Sequence, residues 1–355
     1  MSFNKQKRDA IKHYLMEKIS EHDPDLVLRT VTAFGTTKNT VYRYLRELTS
    51  DQLIAKTKSG YRLMGIQEIY HIPLNNLTPE EDDVFFTQTI LPQIRDLPQN
   101  LIHIWYYCFT EMMNNVIDHS QAKEATIVFA RDAVNTTVLL QDNGIGIFHK
   151  IQDYYHLPTI EDAILELFKG KLTTDAENHS GEGIFFTSRI MDRFAAISDG
   201  KIFSHTEYDE LIADMTEEGF DDTVHSQGTT ILMKISNASK KTTKEIMDQY
   251  SDEDGGFIRT RIPLKNIYPD YPVSRSQAKR LTNRFDSFSE IELDFEGIED
   301  IGQGFAHELF VVYAGNHPEI TLIPFHVGIN VQRMINHVAG GNGKNRKEEN
   351  ESRDN

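Results

Sequence analysis

Cysteine is almost absent from this chain. Cys108 is the one cysteine among 355 residues, which excludes an intrachain disulfide and a metal cluster built on thiolates. Long apolar runs are missing too, since no stretch approaches the roughly 20 apolar residues that a membrane helix needs. The start, Met1-Ser2-Phe3-Asn4-Lys5-Gln6-Lys7-Arg8, is not followed by the apolar segment of a signal peptide. These absences predict a cytoplasmic chain with no membrane partner. The glycine-rich loop that ends in Lys-Ser or Lys-Thr is also lacking, so a P-loop nucleotide site is not expected.

Positive charge is scarce overall, with a net charge of −17, but it is not evenly spread. Residues 1–64 carry +5, so residues 65–355 carry −22. That asymmetry marks a basic module on an acidic body. The length predicts two or three domains, because single cores rarely grow beyond about 250 residues. The hydrophobic share of 39% and the charged share of 26% fit a globular protein.

The basic module reads as three helices and a hairpin. Residues 5–20 and 25–33 are amphipathic, Gly35-Thr36-Thr37 is a turn, and Thr37 or Asn39 can cap a third helix through Leu48. Residues 54–64 read as a hairpin turning at Ser59-Gly60. This pattern resembles a winged helix-turn-helix, with residues 36–48 as its recognition helix. Val41, Leu45 and Leu48 would face the core. The resemblance implies DNA contacts from Lys38, Asn39, Thr40, Tyr42, Arg43 and Arg46, with Lys56 and Lys58 on the hairpin. The same module could instead serve dimerisation or protein contact.

Residues 66–95 read as a helical connector, with Pro79 and the acids after it as a helix start. Residues 101–119 then repeat Ile102, Trp105, Phe109, Met112 and Val116 at spacings of three and four, a helix with one apolar face. Glu111, Asn115 and Asp118 fall on another face. Strands are expected at 125–130, 136–141 and 229–235, with shorter ones near 196–198 and 201–204. Residues 148–180 are long, polar and poorly periodic apart from a helix at 159–168, and residues 236–256 read as a linker. From Phe257 a new alternation of strands and helices begins.

Four segments carry the chemistry: Glu111 to His119, Asp142-Asn143-Gly144-Ile145-Gly146, Gly181-Glu182-Gly183 and Gly228-Thr229-Thr230. A carboxylate at a strand end, as at Asp142, can accept from an exocyclic amine. A Gly-x-Gly entering a helix offers N–H donors and a positive dipole to phosphates. In this order the four resemble the GHKL superfamily of gyrase-type topoisomerases, heat-shock chaperones, histidine and serine kinases and mismatch-repair ATPases. The resemblance covers roughly residues 96–236. It implies ATP and Mg2+ as cofactors, with Asp142 reading adenine beside Gly144 and Gly146, and Thr229 closing the same pocket. Gly181 and Gly183 would meet the phosphates and Asn115 the magnesium. Glu111 would act as general base, and Asp118 matches an acidic position of the topoisomerase and mismatch-repair branch. Lys169 and Lys171 are candidates to neutralise the triphosphate, and His179 and Ser180 to add polar contacts.

Residues 291–309 resemble STAS-like domains, the anti-sigma-antagonist class, whose loop often carries a phosphorylated serine. Here that loop is Gly302-Gln303-Gly304, with no hydroxyl. The expected architecture is therefore α+β and multidomain. A winged helix-turn-helix spans 1–65 and a connector 66–95. A GHKL sandwich of the Bergerat type spans 96–240 with a lid at 148–180, a STAS-like domain 255–338 and a disordered tail 339–355. The function implied is an ATP-gated, DNA-binding ATPase that dimerises with ATP and meets a protein partner through the STAS-like domain. A serine/threonine kinase acting on a separate protein is the alternative, since no helix with a phospho-accepting histidine precedes the ATP segment.

Overall fold

The computed structural model describes residues 4–58, 60–74, 82–172, 181–206 and 227–351, with side chains described as far as 340. Helices α1 (Lys5–Ser20), α2 (Leu26–Phe34) and α3 (Lys38–Ser50) pack Ile11, Leu15, Val41, Leu45 and Leu48 into one small core. Asn4 caps α1 by accepting from Lys7 N–H, and Thr37 caps α3 by accepting from Thr40 N–H. The hairpin β1 (Ile54–Lys56) and β2 (Tyr61–Leu63) follows.

A six-stranded antiparallel sheet forms the centre, in the order β3-β4-β5-β8-β6-β7. Its strands are β3 (Gly65–Pro73), β4 (Glu124–Asp132), β5 (Asn135–Asp142), β6 (Arg193–Ser198), β7 (Lys201–Ser204) and β8 (Thr230–Ser236). Strand alternation sends Ile127, Phe129, Val138, Leu140 and Met233 toward the helices, while Val128, Leu139, Ala195, Ile197 and Leu232 form a second, smaller cluster. The helices are α4 (82–94), α5 (Gln99–Asn114), α6 (Ile147–Tyr155), α7 (Ile160–Lys169) and α8 (Gly183–Ile190). The first module rests on the turn between β4 and β5: Val134 enters its core and Asn135 Nδ2 donates to Ser20 Oγ at 2.7 Å.

Three expectations change. The connector is not all helical, because β3 occupies roughly its first quarter and pairs along its whole length with β4, as at Ile69 and Val128. The stretch read as poorly periodic around one helix holds that helix as α7, which buries Ala163, Leu165, Leu167 and Phe168, but also a second one, α6, ahead of it. The stretch read as a linker holds a helix, α9 (Thr243–Asp248), closed by a capping box between Thr242 and Glu245. Tyr250 and Phe257 then pack on Phe185 with ring centroids 5.0 and 4.8 Å away.

The C-terminal unit is a three-stranded parallel sheet, ordered β11-β10-β9, with β9 (Arg259–Pro263), β10 (Glu290–Asp294) and β11 (Thr321–Phe325). Arg259 pairs with Glu290 and Arg261 with Glu292 across adjacent strands. Its helices are α10 (Leu264–Ile267), α11 (Arg275–Leu281), α12 (303–316) and α13 (Ile329–Glu351). Helix α13 runs through most of the tail expected to be disordered. Ile291, Leu293, Phe305, Leu309 and Val331 share one continuous core with the central sheet and its helices. Among the described residues, no helix is long and apolar enough to cross a membrane.

Candidate functional site

The four sequence segments converge on one cavity of about 250 Å³. Glu111 and Asn115 reach it from the end of α5, and Asp142 from the end of β5. Gly146 opens α6, Gly183 opens α8 with Gly181 two residues before it, and Thr229 precedes β8. Met112, Val116, Ile147, Ile151, Leu167, Leu172, Phe185 and Ile231 supply apolar walls. The combination of apolar lining with a few convergent polar groups is that of a small-molecule site.

Asp142 is buried at the strand end, and its carboxylate accepts from Gly144 N–H at 2.8 Å. Burial pushes its carboxyl above the ordinary range, while the bonds from Gly144 and Thr229 pull it back. The chain beside it is close-packed. A Cβ on Gly228, where φ is +95°, would lie 2.1 Å from Asp142 O. Thr229 Oγ accepts from Ile147 N–H at 3.0 Å, which ties the start of α6 to β8. Gly144 therefore supports Asp142 from behind and is not among the lining residues.

Glu111 faces the start of α8. A Cβ on Gly183 would sit 2.1 Å from Glu111 Oε2, so only glycine allows the carboxylate this close to the helix end. At Asn115–His119 the helix widens into a π-helical turn. Bonding from i to i+5 adds about one residue to the turn, and such turns recur at functional sites. The α-helical count places Asp118 on the face of Glu111 and Asn115. The wider turn brings His119 to the cavity instead, and Asp118 is not among its lining residues.

The lysines also differ from expectation. Lys171 does not reach the cavity. Its Nζ donates to Ser287 O at 2.7 Å and lies over the rings of Phe257 and Phe288. Lys169 is fully buried and ion-paired to Glu166 at 2.7 Å. The lysine that lines the cavity is Lys150, whose Nζ donates to His119 O at 2.9 Å. A signal for it existed: Ile147, Lys150 and Ile151 share the face of a helix that begins at the Gly146 motif. His179 and Ser180 lie outside the described residues.

On α3, Lys38, Asn39, Tyr42, Arg43 and Arg46 are exposed and Thr40 is half-buried. Lys56 and Lys58 are exposed on the adjoining hairpin. Val41, Leu45 and Leu48 are buried on the opposite face, as expected.

Residues 277–332 match the family model described as a STAS-like domain of unknown function, DUF4325. The C-terminal unit thus carries a STAS-like domain, as the resemblance over residues 291–309 implied. The chain is also 24% identical over 184 residues to the sensor histidine kinase YvfT of Bacillus subtilis (strain 168). That similarity covers 52% of this chain and 46% of the kinase, so the chain spans about half the length of the curated relative it matches.

Proposed function

We propose that the cavity between α5, α6, α8 and the sheet is a GHKL-type Mg-ATP site, and that the chain is an ATP-gated regulator. One observation carries this reading: Glu111, Asn115, Asp142, Gly146, Gly181, Gly183 and Thr229, picked from four separate segments, line one cavity. The similarity to a sensor histidine kinase supports an ATP-using relative. In this reading Asp142 accepts from the adenine amine. The start of α8 presents N–H donors to the phosphates, with Lys150 as the nearby cation. Asn115 would hold magnesium through its amide oxygen. The ion would neutralise charge on the phosphate oxygens. Glu111 takes the proton of the attacking water as general base.

The N-terminal module is then a winged helix that meets DNA through α3 and its hairpin, which the exposed basic face supports. The STAS-like domain meets a protein partner, and ATP promotes a homodimer. One mass in light scattering with and without a non-hydrolysable ATP analogue would remove the dimer from the account.

The second reading is a protein kinase acting on a separate protein, and the kinase similarity favours it. Incubation with γ-labelled ATP and magnesium separates the two. The proposal expects free phosphate, lowered about 10²–10⁴-fold in Glu111→Ala with nucleotide binding kept. Label transferred to an added protein fraction, with none released as phosphate, would establish the kinase instead. Phosphate release unchanged in Glu111→Ala would remove Glu111 from the mechanism.

A further inference from the structure

The C-terminal domain grips one wall of the cavity from behind. Helix α7 ends at Lys169, and Gly170 and Leu172 then line the cavity. Lys169, Lys171 and Leu172 of this run are each held by a bond. Thr260 Oγ, on β9, donates to Lys169 O at 2.7 Å. Lys169 Nζ donates to Asn283 O, also at 2.7 Å, and pairs with Glu166. Lys171 Nζ donates to Ser287 O at 2.7 Å. The Arg284 guanidinium donates to Lys171 O and pairs with Glu166 at 2.9 Å. Leu172 N–H donates onward to Gly181 O at 3.0 Å, so the anchored run reaches the Gly-x-Gly turn.

Two further observations point the same way. Lys171 sits at φ +50°, a conformation that lysine rarely adopts and that persists where surrounding bonds hold it. The opposite wall is tied to the same strand: Arg189 on α8 donates to Arg261 O at 2.6 Å, while the start of α8 lies against Glu111. Strand β9 is thus bonded through adjacent residues, Thr260 and Arg261, to both walls of the cavity.

We propose that Lys171 and Arg284 are positioning residues of the nucleotide site, which makes the STAS-like domain a structural part of that site. They touch no nucleotide. They fix Gly170–Leu172 and, through the Leu172–Gly181 bond, the turn that faces the phosphates. A partner that pulls residues 283–287 away from the run would loosen the wall and lower affinity, and bound nucleotide would tighten the same contacts, as linkage requires. The inference rests on the nucleotide reading for what the cavity holds, whereas the clamp itself does not.

The test uses the full chain with Lys171→Met, Arg284→Met and the conservative Lys171→Arg. Amide exchange at residues 170–172 and 181–184 is measured without ligand, and then KM and kcat for ATP. The account expects faster exchange in both methionine variants. It expects KM raised about 5–150-fold, the usual range of a coupling between sites, with kcat nearly unchanged. Lys171→Arg should restore both readouts. A merely structural role would lower the active fraction, hence kcat, and leave KM alone. Wild-type exchange and wild-type KM in a folded Lys171→Met would overturn the proposal. If Arg284→Met fails to fold, the half-buried Lys171 decides alone. If the wild type takes no nucleotide, the nucleotide reading falls, and the exchange readout alone decides the clamp.

Discussion

Basic residues serve two opposite purposes at two places in this molecule. On α3, Lys38, Arg43 and Arg46 stand in water above a buried apolar stripe. At the end of α7, Lys169 has 0% exposure and its partner Glu166 has 2%. There the charge is met by a carboxylate and by backbone carbonyls, and the same carboxylate also holds Arg284. In sequence the two groups look alike, cations on or just after an amphipathic helix. What packs against them decides whether they are a surface for a ligand or a joint between domains. An exposed cation can be removed at little cost to the fold, whereas half of a buried pair cannot.

Removing the shared carboxylate should break this comparison most sharply. Glu166→Ala leaves Lys169 and Arg284 facing each other without the carboxylate they share. A loss of about 3–5 kcal/mol is expected in denaturant unfolding, because one partner of a buried pair is gone. A loss below about 1 kcal/mol would mean that the cluster behaves like the surface pairs.

The second expected effect is a rise of stability with pH that comes from the buried lysine. Burial pulls the Lys169 ammonium down to about 8 from 10.5, although Glu166 opposes it. Between those values the unfolded chain binds a proton that the folded chain does not. Stability should therefore rise with pH across that window. Tyr268 and Tyr313 work against it above about 10, since burial holds them up at about 12 and the folded state keeps protons that the unfolded state loses. Thermal melts between pH 7.5 and 10 should show the rise in the wild type and lose it in Lys169→Met.

The smallest effect on stability is expected on α3. Arg43→Ala should shift stability by no more than about 0.5 kcal/mol. If Arg43 meets a phosphate, the same variant should reduce the slope of log affinity for DNA against log salt by about 0.9. A DNA affinity that does not respond to salt in the wild type would point to a protein partner for this face.

Local signals made much of the fold legible. Thr37 and the apolar spacing of Val41, Leu45 and Leu48 announced α3, and the runs around Val128 and Leu139 announced β4 and β5. The candidate site's motifs were legible for the same reason: each sits at an end of its own strand or helix, and the fold brings residues of all four to one cavity. What was missed depends on distant contacts. Strand β3 carries Gln67, Glu68 and His71 on an edge, so it shows little hydrophobic alternation, and its partner β4 lies about 60 residues away. Lys171 was assigned to phosphates because its partner, Ser287 O, is 116 residues on. Asp118 was placed by a regular helical count that the π-helical turn interrupts.

The central claim is that the cavity reads adenine through Asp142, and equilibrium titration with ATP and GTP tests it most directly. Wild type and Asp142→Asn would be titrated with each nucleotide in magnesium. The account predicts that the wild type binds ATP more tightly than GTP, because the Asp142 carboxylate can accept from the amine of adenine and not from a carbonyl. It predicts that Asp142→Asn weakens ATP binding by at least about tenfold, consistent with about 1.5–3 kcal/mol for a hydrogen bond to a charged group. Equal binding of ATP and GTP, or ATP binding unchanged in Asp142→Asn, would contradict it.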